Sequence, residues 1–183
     1  MVVVGRAQRT VAMPSRFTLV AAMNPCPCGY RGHPRRPCLC PPPAVHRYRA
    51  RISGPLLDRL DLQVEVPALD PAAFSTAPDP DWGTAALVTR VRSATRRQGQ
   101  RGLGQNGGLA DRALEQACAA TPAVLRLLED VLRRHQQSGR ARVRLLRVGR
   151  TLADLDDREA VGTGDILQAA QLRGFAAQSS LLT

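Results

Sequence analysis

Phe17-Thr-Leu-Val-Ala-Ala-Met-Asn-Pro-Cys-Pro-Cys-Gly-Tyr30 is the stretch on which the reading of this chain turns. Phe17 to Met23 is apolar without alternation, the pattern of a strand buried on both faces in a parallel sheet. The run stops on Asn24-Pro25. A polar residue at the carboxyl end of such a strand sits where open α/β sheets bind ligands, although Asn before Pro also ends many strands in a plain turn. Cys26-Pro-Cys28 follows at once, and Cys38-Leu-Cys40 follows after nine more residues.

Working outward, prolines and glycines dominate 25–43, which makes that segment a loop. Its four cysteines, Cys26, Cys28, Cys38 and Cys40, supply soft donors suited to a closed tetrahedral Zn²⁺ site. Metal would order a loop that has little core of its own. The alternative is four reduced thiols in a flexible insert. His33 lies between the pairs and reads as solvated; Cys118 stands alone on an apolar helical face and reads as core.

Downstream, Ser53-Gly-Pro-Leu-Leu-Asp-Arg59-Leu-Asp61 opens a helical turn and sets an arginine between two aspartates. Either this is a surface ion pair of little consequence, or Arg59 is held rigid for a phosphate on a neighbouring subunit. Asp61-Leu-Gln-Val-Glu-Val-Pro67 alternates with period two and is expected to be a strand. The prolines of 68–82 mark a linker, and from Gly83 the pattern is helical. Helices are expected from Thr84 to about Arg97, from Asp111 to Ala119, after Thr121-Pro122 to about His135, after Ser138 to about Asp154, and from Thr163 to about Leu172, with a flexible Gly-rich loop over 99–108. Ser138-Gly-Arg140 places an arginine at a helix start, where backbone N–H groups favour anions. Arg140 is therefore a candidate phosphate contact, or else part of a basic helix face whose Arg142, Arg144 and Arg147 are solvated or turned to DNA.

Composition bounds the function. The chain has 183 residues and 44% hydrophobic content, enough for a core despite few aromatics. No apolar run is long enough to span a bilayer, so a cytoplasmic protein is expected. The formal charge is +11, and no Asp or Glu precedes Asp58, while nine arginines do. That field favours nucleotide phosphate or a nucleic-acid backbone, although an arginine-rich genome would also enrich the residue. The chain contains no lysine. It therefore lacks the phosphate-cradling motif GxxxxGK[ST], and no apolar strand ends in the consecutive acids that hold Mg²⁺.

Taken together, residues 17–30, Cys38-Leu-Cys40-Pro-Pro, Ile52 to Leu62, Val64-Glu-Val-Pro67, Ser138-Gly-Arg-Ala141 and Val148-Gly-Arg-Thr-Leu-Ala-Asp-Leu-Asp156 closely resemble the C-terminal part of the YifB/ComM family of magnesium-chelatase-like AAA+ ATPases. The resemblance implies an α/β fold: residues 1–80 as the second half of an AAA+ parallel-sheet core carrying the Cys-rich insert 25–43, and 81–183 as an all-α lid. It places Asn24 at the sensor-1 position, Arg59 at the arginine finger and Arg140 at sensor 2. It implies ATP and Mg²⁺ as cofactors of the complete protein, a homo-hexameric ring, and DNA remodelling of the branch-migration type used in natural transformation. The family's N-terminal domain, phosphate loop and acidic Mg²⁺ motif lie outside this chain, so the chain alone is expected not to turn over ATP. Two other readings stand beside this one: a stand-alone zinc-stabilised nucleic-acid-binding module, and a non-functional remnant.

Overall fold

Residues 1–6, 9–15, 17–69 and 79–175 are described by the computed structural model. Most of them are helical, and the strands form a single two-stranded sheet. The chain divides into two compact units, 1–51 and 52–183.

In the first unit, β1 (Val2–Arg6) and β2 (Arg9–Met13) pair antiparallel, Val2 opposite Met13 and Val4 opposite Val11. Valines on the hairpin stay exposed, because two strands alone bury no face. The Cys-rich loop leads into α1 (Pro42–Arg49). Proline in its first turn presets the helical φ, and His46, Arg47 and Arg49 in its last turn complement the helix dipole. Arg49 reaches back to donate from Nε to the Pro25 carbonyl at 3.2 Å, closing the base of the loop.

The expected parallel strand at Phe17–Met23 is not formed: the segment is irregular, with Phe17 and Val20 exposed at 75% and 88%. The same holds for 61–67, where Leu62, Val64 and Val66 face solvent. A strand is defined by its ladder partners, and among the described residues neither segment has one. The linker expected at 68–82 lies for the most part, 70–78, outside the described residues.

The second unit contains the core. Short α2 (Gly54–Arg59) starts at Ser53, whose hydroxyl accepts from Leu56 N at 3.4 Å. Then come α3 (Thr84–Gln100), α4 (Asp111–Cys118), α5 (Pro122–Arg134), α6 (Gly139–Leu155) and α7 (Thr163–Leu172). Thr121 caps α5 as its spacing predicts, accepting from Val124 N ahead of Pro122. Ser138 precedes α6 but makes no side-chain cap bond, and Thr163 lies one residue inside α7, whose cap is Gly162. Ala119, at φ 44°, ends α4 in a left-handed turn.

Helix α6 is the hub, packing on α3, α4, α5 and α7. Its buried stripe, Ala141, Leu145, Leu146, Gly149 and Ala153, follows the helical period and meets Leu114, Leu128 and Ile166. Gly149 lets α7 come close: a Cβ there would sit 3.4 Å from both Ile166 Cδ1 and Val161 Cγ1. On α3 only Ala94 is buried, so Leu87, Val88 and Val91 form an apolar face open to solvent.

Candidate metal centre and arginine positions

The two cysteine pairs converge. The Sγ atoms of Cys26, Cys28, Cys38 and Cys40 all lie within 4.8 Å of one another. Cys26 is 3.4 Å from Cys28 and 3.5 Å from Cys38, and Cys28 is 3.6 Å from Cys38. A tetrahedral thiolate site with metal–sulfur bonds near 2.3 Å has edges of about 3.8 Å, so the geometry fits Zn²⁺. The turns that bring this about need glycine: Gly29 and Gly32 have φ of 82° and 80°. Gly29 N donates to the Cys26 carbonyl at 3.0 Å.

The thiols are electrostatically split. Burial works to raise Cys26, but bonds from Cys28, Cys38 and the backbone at Arg31 and Gly29 outweigh it and bring the thiol down to about 6. Backbone donation at Tyr30 leads the lowering of Cys28. Cys40 is pushed up to about 12, first by its bond with Cys28. The first thiolates thus form easily and the last resist, as expected when like charges share a small volume. A bound divalent cation would let all four ionise, with proton release. His33 lies outside the sulfur cluster: half-buried, its Nδ1 accepts from Arg35 N and Arg36 N at 3.1 Å each, so it shapes the loop.

Asn24 is exposed, beside the turn at Gly29, whose added Cβ would lie 3.8 Å from the Asn24 Cγ. Arg59 is exposed at the end of α2 and donates to the Pro55 carbonyl at 2.8 Å. It is not clamped by its flanking acids. Asp58 and Asp61 pair instead with Arg144 of α6, at 3.1 Å and 3.5 Å, and Arg144 also donates to the Asp58 carbonyl. Arg173 adds a bond to the Leu60 carbonyl at 3.0 Å. Arg140, one helical turn before Arg144, is exposed, and no hydrogen bond or ion pair holds its side chain among the described residues. Arg142, Arg144 and Arg147, expected to be solvated or to face DNA, are half-buried and engaged within the chain: Arg142 pairs with Glu129 at 3.2 Å, and Arg147 donates to the Leu109 carbonyl at 2.7 Å.

Sequence reasoning missed a buried polar cluster in the second unit. Arg150 is fully buried, donating to Asp154 at 3.0 Å and to the carbonyls of Ala117, Arg158 and Glu159. Asp154 also accepts from Arg101 at 2.5 and 2.8 Å and from Asn106 at 2.8 Å. Asn106 belongs to the segment expected to be a flexible loop; it is buried and also bonds Thr151. The Arg150/Asp154 spacing of one helical turn was visible, but nothing in it marked the pair as interior.

Comparison with known proteins identifies the family. The family model described as magnesium chelatase, subunit ChlI, matches residues 1–74, and that described as magnesium chelatase, subunit ChlI C-terminal, matches 82–173. The chain belongs to this magnesium-chelatase-like family, in the group that includes YifB and ComM. It is 36% identical over 93% of its length to the uncharacterised protein YifB of Salmonella typhimurium, covering 33% of that protein. It is 34% identical over 95% of its length to the competence protein ComM of Haemophilus influenzae, covering 34% of it. An uncharacterised Mycobacterium tuberculosis protein matches at 34% identity over 94% of the chain. The chain spans about a third of the length of these relatives. No helix among the described residues is long and apolar enough to cross a membrane.

Proposed function

We propose that this chain forms the second half of the core and the lid of a cytoplasmic, hexameric AAA+ ATPase that couples ATP hydrolysis to DNA remodelling. Residues 1–80 belong to the core portion and 81–183 form the lid. Asn24 orients the attacking water, Arg59 neutralises charge on the neighbouring subunit's nucleotide, and Arg140 reads the γ-phosphate, with ATP and Mg²⁺ held mainly by the portion of the relatives that this chain does not match.

The observation that carries this reading is the state of Arg59. Its two neighbouring carboxylates are engaged by Arg144, so the guanidinium remains exposed and un-neutralised at the end of a capped helix. A cation presented in that way suits an anion arriving from outside the subunit. Unpaired Arg140, a turn from Arg144 on α6, supports the same reading. Four clustered cysteines fit a structural Zn²⁺ that staples the insert.

The test is a chimera in which this chain replaces the matching third of ComM. Arg59→Ala should lower ATP turnover by about 10³-fold, the scale of an arginine finger, with ATP binding retained. Undiminished turnover in that variant refutes the assignment.

A further inference from the structure

We propose that the cysteine-anchored tip Tyr30–Arg36 is a grip for the backbone of single-stranded DNA. The inference rests on the DNA-remodelling reading only for the choice of DNA, and its own support comes from the first unit.

That unit, residues 1–51, contains no acidic side chain. The contrast with the second unit is informative. There, arginines 97, 101, 142, 144, 150 and 158 each meet a carboxylate. An arginine-rich composition alone gives no reason for the two units to differ. A zinc site of four thiolates would carry −2, well short of the unit's nine arginines, and such an excess of positive charge is what recruits a polyanion.

The tip is shaped for such a role. The four sulfurs gather its two ends. Turns at Gly29 and Gly32 and the two hydrogen bonds donated by backbone N–H groups to His33 Nδ1 set its path. Arg36 is pre-positioned: its guanidinium lies 4.9 Å from the Tyr30 ring centroid and donates to the Tyr30 hydroxyl at 2.6 Å. His33 meets the same ring edge-on at 5.8 Å. A planar guanidinium already held by an aromatic ring loses little freedom on meeting a phosphate. Arg31 and Arg36 are exposed, and between Tyr30 and Arg36 the only aliphatic side chain is Pro34. One proline ring offers an apolar partner little to bury. An aromatic ring among arginines on a short tip, with no helix or strand to enter a groove, matches single-strand recognition rather than duplex readout.

The test uses the full chain loaded with zinc and a fluorescent oligo-dT of about 12 nucleotides, a length within the usual single-strand site sizes. Anisotropy is recorded across a salt series. Removing both grips in Arg31→Ala/Arg36→Ala should make the plot of log affinity against log salt shallower by about 1.4, at about 0.7 per phosphate contact, and remove about 7-fold of the affinity change between about 50 and 200 mM salt. The control Arg92→Ala/Arg126→Ala removes equal exposed charge from the second unit and should leave the slope near wild type. Equal loss in the control, or no loss in the tip variant, overturns the proposal. So does undiminished binding after chelation, or tenfold preference for a duplex of the same length. Metal content and the far-ultraviolet circular dichroism of each variant are measured first; if the alanine pair loses zinc, Arg31→Gln/Arg36→Gln decides. Neither arginine is among Asn24, Arg59 and Arg140, so the chimera's ATP turnover fails or succeeds independently.

Discussion

Replacing Asp154 with alanine is the most demanding perturbation this fold offers. The carboxylate is 1% exposed and accepts from three side chains: Arg150, Arg101 and Asn106. Arg101 keeps some access to solvent, but Arg150 has none. Its remaining acceptors are three backbone carbonyls, which bind a guanidinium but do not cancel its charge. Asp154→Ala therefore leaves a buried cation without its counter-ion, a change that typically costs about 3–5 kcal/mol. Against a total stability of about 5–15 kcal/mol for a domain, that is a large share. With a urea slope of about 2 kcal/mol per molar, the unfolding midpoint should fall by about 2 M. Asp154→Asn keeps the shape and one acceptor while losing the charge, so it should fall between alanine and wild type. The assay is urea unfolding followed by helical circular dichroism in the full chain. A midpoint for Asp154→Ala within about 0.5 M of wild type would refute the claim that this pair organises the helical unit.

The same network sets a pH limit. Burial works to raise Asp154 and Asp165, but bonds from Arg101 and Asn106 to the first, and from Arg158 and the Gly162 amide to the second, hold both below the ordinary carboxylate range. Their contribution is present in full above the unfolded value of about 3.9 and is lost as pH falls through the lower folded values. The thermal stability that these two carboxylates supply should therefore be flat from neutrality to about pH 5 and drop steeply in stronger acid, and Asp154→Asn should blunt the drop. At Gly149 the 3.4 Å approach of Ile166 and Val161 leaves room for a methyl and nothing larger. Gly149→Ala should melt close to wild type, because a helix-propensity gain of about 1 kcal/mol offsets the tighter contact. Gly149→Leu should lose about 1–3 kcal/mol by overpacking, and a melt at the wild-type temperature would place α7 further from α6 than the structure does.

The sequence alone determined what depends on near neighbours. Thr121-Pro122 announced α5 because a cap and a preset φ act within one turn. The cysteine cluster was legible too, since both pairs sit in one short loop. Segments 17–23 and 61–67 have strand-like patterns and are not strands, because a ladder requires partners that no local pattern supplies. Only the tertiary structure decided which arginines are spent and which are presented. Asp58 and Asp61 flank Arg59 in sequence yet are neutralised by Arg144 from α6, and Arg150, indistinguishable in sequence from the exposed Arg140 of the same helix, is wholly interior. Charge pairing acts through space, so its assignment waits on which helices meet.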